Sequence, residues 1–259
     1  MATEDDRLAH DLATEAGRRL VALRGHGGEP DELRKAGDRM SHEFLAAELA
    51  RLRPADWVLS EEAADDPGRL AADRVWIVDP LDGTREFGDA GRADWAVHVA
   101  LWERAGSRLT AGAVALPAQD EVLSTVTPPP TPSPARPVGR LRVVVSRSRP
   151  APFLPRMAEL LGADLIPLGS AGAKVAAVLQ GQADAYVHAG GQYEWDSAAP
   201  VAVARAAGFH ASRIDGRELA YNQADLLMPD ILVCPPALAG ALLDAIRSAQ
   251  PGETGGSQR

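Results

Sequence analysis

The chain has 259 residues, 46% hydrophobic and 24% charged. That suits one large or two small globular domains and excludes a disordered, collagenous or coiled-coil chain. With 36 acidic against 27 basic residues the formal net charge is −9. Polymeric nucleic acid is therefore a poor partner, and an anionic substrate would need a local source of positive charge.

In chain order, apolar residues at Leu8, Leu12, Ala16, Leu20 and Leu23 recur every three or four positions and predict an amphipathic helix. A second helix is predicted from Arg39 to Arg53, with Pro54 as its stop. The period then changes. Trp57–Leu59 and Val75–Val78 read as short buried strands, each delivering acids at its end. Trp95–Trp102 reads as a third strand, with His98 as a core residue, and Ala111–Leu116 and Glu121–Thr125 as a hairpin around Pro117–Asp120. Thr127–Pro137 holds six of the 20 prolines and predicts a stiff extended linker at a domain boundary. Strands at 141–145, 165–168, 183–187 and 231–234 then alternate with helices at 153–161, 171–180, 197–207 and 237–249, a layered α/β pattern. The expected organisation is an N-terminal α+β domain (1–126), the linker (127–137), a C-terminal α/β domain (138–250) and a disordered tail (251–259).

Cys234 is the sole cysteine, so no intrachain disulfide can form, which fits a reducing compartment. The acidic start has no apolar stretch behind it, and no run of about 18 apolar residues occurs. A cytoplasmic protein without a membrane partner is expected.

The chemistry concentrates at Asp79-Pro80-Leu81-Asp82-Gly83-Thr84, directly after a buried strand. Two carboxylates three positions apart repel one another unless a cation lies between them, and all-oxygen ligation favours Mg²⁺, Mn²⁺ or Ca²⁺ over zinc. Gly83 permits φ > 0, and the amides of Gly83 and Thr84 would form a phosphate cradle. Phosphate beside such metals points to phosphoryl transfer to water. The same residues also read as a solvated acidic turn, or as the Asp-x-Asp-Gly-Thr loop of haloacid-dehalogenase phosphatases, although that loop spaces its aspartates differently. Glu61-Glu62 ends the strand before it, as surface charge or as further ligands. Asp196 begins a helix in the second half, as a cap or as a ligand.

Taken together, Glu61-Glu62, Asp79–Phe87 and Trp195-Asp196-Ser197-Ala198-Ala199 resemble the inositol monophosphatase superfamily, from roughly Leu8 to Leu243, and Ser60-Glu61-Glu62 resembles one branch of it. Gly169-Ser170 with Lys174, Gly181-x-Ala183-Asp184-x-Tyr186 and Tyr221-Asn222 resemble its CysQ-type 3′(2′),5′-bisphosphate nucleotidase branch. The resemblance implies an α/β/α/β/α sandwich and a lithium-sensitive phosphomonoesterase that uses two or three Mg²⁺ ions to convert 3′-phosphoadenosine 5′-phosphate to AMP. It implies metal ligation by Glu61, Asp79, the Leu81 carbonyl, Asp82 and Asp196. Thr84, with Asp38 behind it, would orient and help deprotonate the attacking water, and Glu61 would hold that water's metal. Gly83, Thr84, Ser170, Lys174 and His188 would contact the substrate, although Lys174 also reads as a solvated helix residue. Ala189 stands where inositol-specific relatives carry an acid, and His188 where nucleotidase relatives often carry Arg. Inositol phosphate and fructose 1,6-bisphosphate are the rival substrates, and a non-catalytic metal or nucleotide sensor is the rival class. The resemblance also suggests a homodimer.

Overall fold

A computed structural model describes residues 2–130 and 139–250. Most of the expected linker (131–137) and the expected tail (251–259) lie outside the described residues. The elements in order are α1 (Glu4–Gly25), α2 (Pro30–Leu52), β1 (Trp57–Ser60), β2 (Arg74–Asp82), α3 (Thr84–Phe87), β3 (Ala96–Glu103), β4 (Arg108–Leu116), β5 (Glu121–Ser124), β6 (Leu141–Ser146), α4 (Leu154–Leu161), β7 (Ala163–Leu168), α5 (Ala171–Leu179), β8 (Ala185–Tyr193), α6 (Glu194–Ala206), β9 (His210–Ser212), β10 (Leu227–Cys234) and α7 (Pro236–Ala249). No helix of the described residues is long and apolar enough to cross a membrane.

Two five-stranded sheets result, ordered β1-β2-β3-β4-β5 and β7-β6-β8-β10-β9. Three hydrophobic clusters fill the interfaces of five layers, one of them lying on both sides of the middle layer. Helices α1 and α2 bury Leu12, Leu20, Leu45 and Leu49 against one face of the first sheet, where Trp76, Val97 and Leu101 point. The opposite face, with Val75, Ile77 and Ala100, packs on α5 and α6, which also meet Val144, Tyr186 and Ile231 of the second sheet. Helices α4 and α7 cover that sheet's outer face with Leu154, Met157, Leu242 and Ile246. This is the α/β/α/β/α sandwich.

The middle layer is helical and small-residue-rich because both its faces are covered. Along α6, Ala198, Ala199, Val201, Val203 and Ala204 are all fully buried, the pattern of an element apolar all round. The layer lies so close to the first sheet that a Cβ on Gly112 of β4 would stand 2.6 Å from the Ala202 Cβ and 3.2 Å from the Ala199 carbonyl oxygen. Several elements run beyond their predicted bounds, β8 to Tyr193 and β10 from Leu227 among them, and β9 has no predicted counterpart. Helix α2 begins at Pro30, nine residues early, because Pro at the first position and Asp31 and Glu32 in the first turn favour a start that carries few apolar residues. Strand β2 runs on through Asp82, and α6 starts at Glu194.

Gly112→Val should overpack the contact between β4 and α6. The expected cost is about 1–3 kcal/mol, read as a Tm lowered by roughly 2–12 °C for a chain this size. An unchanged Tm would mean that the middle layer is not packed rigidly against the first sheet.

Candidate active site

Strand pairing gathers the acids. β1 and β2 run parallel with Ser60 opposite Val78, so Glu61 leaves the sheet at the end where Asp79 stands. In a regular strand, residues three apart face opposite sides. The β2–β3 register shifts between Asp79 and Asp82, leaving Pro80 and Leu81 out of the ladder. Proline, which has no N–H to donate, suits such a bulge. The Ser41 hydroxyl donates to the Pro80 carbonyl (2.7 Å), and the Leu81 amide to Asp79 Oδ1 (3.0 Å). Ligand atoms of Asp79, Asp82 and His98 consequently lie within 4.8 Å of one another.

The second half closes the group. The Gly172 amide, in the first turn of α5, donates to Asp82 Oδ2 (2.7 Å), and His98 Nε2 lies 3.2 Å from the same oxygen. The other ring nitrogen of His98 meets the Trp195 carbonyl at 3.1 Å. Asp196, in the first turn of α6, takes the Tyr193 amide on Oδ2 (2.6 Å), so it caps the helix and faces the cluster at once. A buried network ties these parts together. Arg69 pairs with Asp65 (2.6 Å) and donates to Asn222 Oδ1 (2.6 Å). The amides of Asn222 and Gln223 donate to the two Glu194 oxygens at 2.6 and 2.7 Å. The loop after Glu61 is thereby fastened to the start of α6.

Asp38 reaches the site because Gly37 lets α2 settle on α3: a Cβ there would stand 2.8 Å from Phe87 Cε1 and 3.0 Å from Leu81 Cδ2. Thr84 Oγ1 is 3.1 Å from both Asp38 Oδ1 and the Leu81 carbonyl oxygen. Gly83 adopts φ +87°, turning the chain from β2 into α3. Ser170 caps α5, its Oγ accepting from the Ala173 amide (2.8 Å). Lys174 is buried; its Nζ donates to the Gly169 and Ser170 carbonyls and lies 5.4 Å from the centre of the Tyr186 ring.

These groups surround a cavity of about 580 Å³. Glu61, Asp82 and Asp196 border it, as do Gly83, Thr84, Ser170, Lys174 and His188. Asp38, Asp79 and the Leu81 carbonyl stand behind that wall. Every predicted site residue is therefore in the wall or in contact with it. Three other participants escaped prediction. His98 reads as core and is fully buried, but β2–β3 register places it opposite Asp79; the acid on the neighbouring strand was the available signal. Arg149 sits in the basic run Arg147-Ser148-Arg149 just after β6, and Gln192 lies four residues before Asp196; both line the cavity.

Electrostatics show what the cluster needs. Burial first, then the neighbouring acids, raise Asp79 well above the usual carboxylate range. The same two causes lift Glu61 and Asp196 to about 7. Burial, with Glu62 nearby, lifts Asp38 to about 6. Burial lowers Lys174 to about 8 against the pull of Asp82 and Asp196. Among the described residues, no Lys or Arg forms an ion pair with Glu61, Asp79, Asp82 or Asp196. Crowded, uncompensated, all-oxygen donors fit a hard divalent cation.

The sign of the pH effect follows. A carboxyl raised in the folded state holds its proton up to the raised value, so a cation must displace protons below about pH 7. The buried histidines His98 and His188 are shifted down and titrate the opposite way. The increment in Tm on adding the cation therefore isolates the acids better than the bare Tm. That increment should grow from pH 5 to pH 8 and level off above, with protons released on binding. A pH-independent increment would show that the acids do not hold the cation.

Over residues 6–250 the sequence fits the inositol monophosphatase family. It is 51% identical over 241 residues to the 3′-phosphoadenosine 5′-phosphate phosphatase of Mycobacterium tuberculosis, covering 91% of this chain and 90% of that protein. It is 34% identical over 201 residues to the 3′(2′),5′-bisphosphate nucleotidase CysQ of Escherichia coli, covering 72% and 78% respectively. The crystal structure of CysQ from Bacteroides thetaiotaomicron superposes with a TM-score of 0.73 at 28% identity, covering 89% of this chain and 97% of that one. Motifs, layers and similarity agree, and the chain belongs to the inositol monophosphatase family.

Proposed function

We propose that the protein is a Mg²⁺-dependent phosphomonoesterase that hydrolyses 3′-phosphoadenosine 5′-phosphate to AMP and inorganic phosphate. The observation that carries this reading is a cavity lined both by carboxylates without an ion-pair partner and by Lys174 and Arg149. Cations at the acids together with cationic side chains in the same cavity suit a substrate with two phosphates. Half-identity to a protein named for this reaction, over nine-tenths of both chains, supports the substrate.

Glu61, Asp79, the Leu81 carbonyl, Asp82 and Asp196 would hold the metal. When bound, it supplies the positive charge that brings a phosphate dianion and a water into an acidic site and stabilises the transition state. The chain's own part begins with Thr84. With Asp38 ionised, the Thr84 hydroxyl donates to Asp38 Oδ1, which leaves an oxygen lone pair to accept a proton from water. An Asp38 raised to about 6 is ionised near neutral pH yet basic enough to draw that proton onward. The water oxygen attacks phosphorus, the bond from phosphorus to the 3′ oxygen breaks, and that oxygen takes a proton from solvent water to leave as the AMP hydroxyl. The Gly83 and Thr84 amides, which open α3 and have no partner within it, face the phosphate oxygens. Cys234 is no rival nucleophile, being fully buried in β10 with its thiol pushed up to about 12.

A substrate panel should show higher kcat/KM for 3′-phosphoadenosine 5′-phosphate than for inositol 1-phosphate or fructose 1,6-bisphosphate, in line with the half-identity to a protein named for the first reaction; Ala189, expected at the place of an acid, packs against the outer core and does not line the cavity. Inositol phosphate coming first would refute the substrate assignment. Activity should vanish in chelator, return with Mg²⁺ and fall with Li⁺.

Asp38→Asn should lower kcat by about 10²–10⁴-fold, with little change in cation-induced Tm increment. Asp196→Asn should instead lose most of that increment together with the activity. Near-normal turnover in Asp196→Asn would leave Asp196 only its bond from the Tyr193 amide, which an Asn side-chain oxygen accepts as well.

A further inference from the structure

Strand β8 presents Tyr186, His188 and Gln192 on one face, and the last two line the cavity. They are 3% and 5% exposed. Each carries a buried atom without a hydrogen-bond partner among the described residues, His188 Nε2 and Gln192 Oε1. Such orphans are few in native proteins and mark places where another molecule completes the bonding.

Both atoms are acceptors. Gln192 commits its amide nitrogen to the Tyr186 hydroxyl at 2.8 Å, which turns Oε1 away from it. The His188 ring is hydrogen-bonded to the Gly190 backbone, and burial together with Lys174 and Arg149 keeps the ring neutral. A neutral imidazole that donates through one nitrogen presents a lone pair on the other. Two acceptors cannot receive a phosphate dianion, whose oxygens are acceptors too. They are complementary to hydroxyl or amine hydrogens.

We propose that His188 Nε2 and Gln192 Oε1 together receive the hydroxyl vicinal to the scissile phosphate, the ribose 2′-hydroxyl of a 3′-phosphorylated nucleotide. The assignment rests on the nucleotidase reading above and gives His188 a partner on the sugar. Position selects the hydroxyl over the base amine. His188 and Gln192 line the same cavity as Asp82 and Asp196. The acceptor pair thus borders the acids that face the scissile group, where the vicinal hydroxyl is the nearest donor and the base is the far end of the substrate.

The test compares kcat/KM of the full chain with Mg²⁺ on 3′-phosphoadenosine 5′-phosphate, 2′-deoxyadenosine 3′,5′-bisphosphate and inosine 3′,5′-bisphosphate. The wild type should favour the ribose over the deoxyribose substrate by about tenfold or more, because the analogue leaves buried acceptors unpaired. In His188→Phe and in Gln192→Met that ratio should collapse to within about threefold of unity, as expected when the acceptor itself is gone. The adenine-to-inosine ratio should not move. A ratio does not depend on the folded fraction, so a poorly folding variant still reports. Equal turnover of ribose and deoxyribose substrates by wild type overturns the proposal. So does a ratio that survives both substitutions, or discrimination that follows the base amine instead. Hydrolysis of inositol 1-phosphate with none of the nucleotides would remove the nucleotidase reading itself, and this proposal with it.

Discussion

Four carboxylates brought to one end of a cleft, with no basic side chain paired to them, are the constraint around which the rest is arranged. Repulsion and burial both oppose the ionisation of Glu61, Asp79 and Asp196. The fold answers with oriented donors. The Leu81, Gly172 and Tyr193 amides each take one carboxylate oxygen, so Asp79, Asp82 and Asp196 are held in place before any cation arrives. An acidic protein can thus offer an anion a positive site without building one from lysines, and the −9 balance is no obstacle to a polyphosphorylated substrate.

The acids come from distant parts of the chain, and their mutual placement depends on buried polar links. His98 touches Asp82 and the carbonyl before Asp196. The Arg69–Asn222–Glu194 network joins the loop after β1 to the start of α6. Asn222 reaches Glu194 from a left-handed backbone, φ +58°, a conformation that Asn tolerates better than most residues. Such links are costly when half-made and rigid when complete, which suits a site that must hold its ligands to a fraction of an ångström.

Much of this was legible in the residues. Apolar runs marked the strands, and clustered acids at strand ends marked the site, because both signals are local. What was hidden depends on pairing. His98 looks like any buried strand residue until antiparallel register sets it opposite Asp79. The run of Asp79 to Asp82 reads as a turn, whereas pairing on either side keeps it in the sheet as a bulge. The first two turns of α2 carry too few apolar residues to show a period, and the reason for Gly37 lies in Phe87 and Leu81, half a domain away in sequence. Lys174 reads equally well as a solvated helix residue, and only the sheet above it makes it buried.

The shared middle layer bears on how the molecule is made. The first sheet is complete at Ser124, but the face bearing Val75, Ile77 and Ala100 is covered by helices that end at Leu179 and Ala206. On a ribosome adding about 5–20 residues per second, that apolar face waits some seconds for its cover. The N-terminal half is then a sticky nascent intermediate, exposed to chaperones and to aggregation. Cutting the gene between the sheets would make that brief exposure permanent.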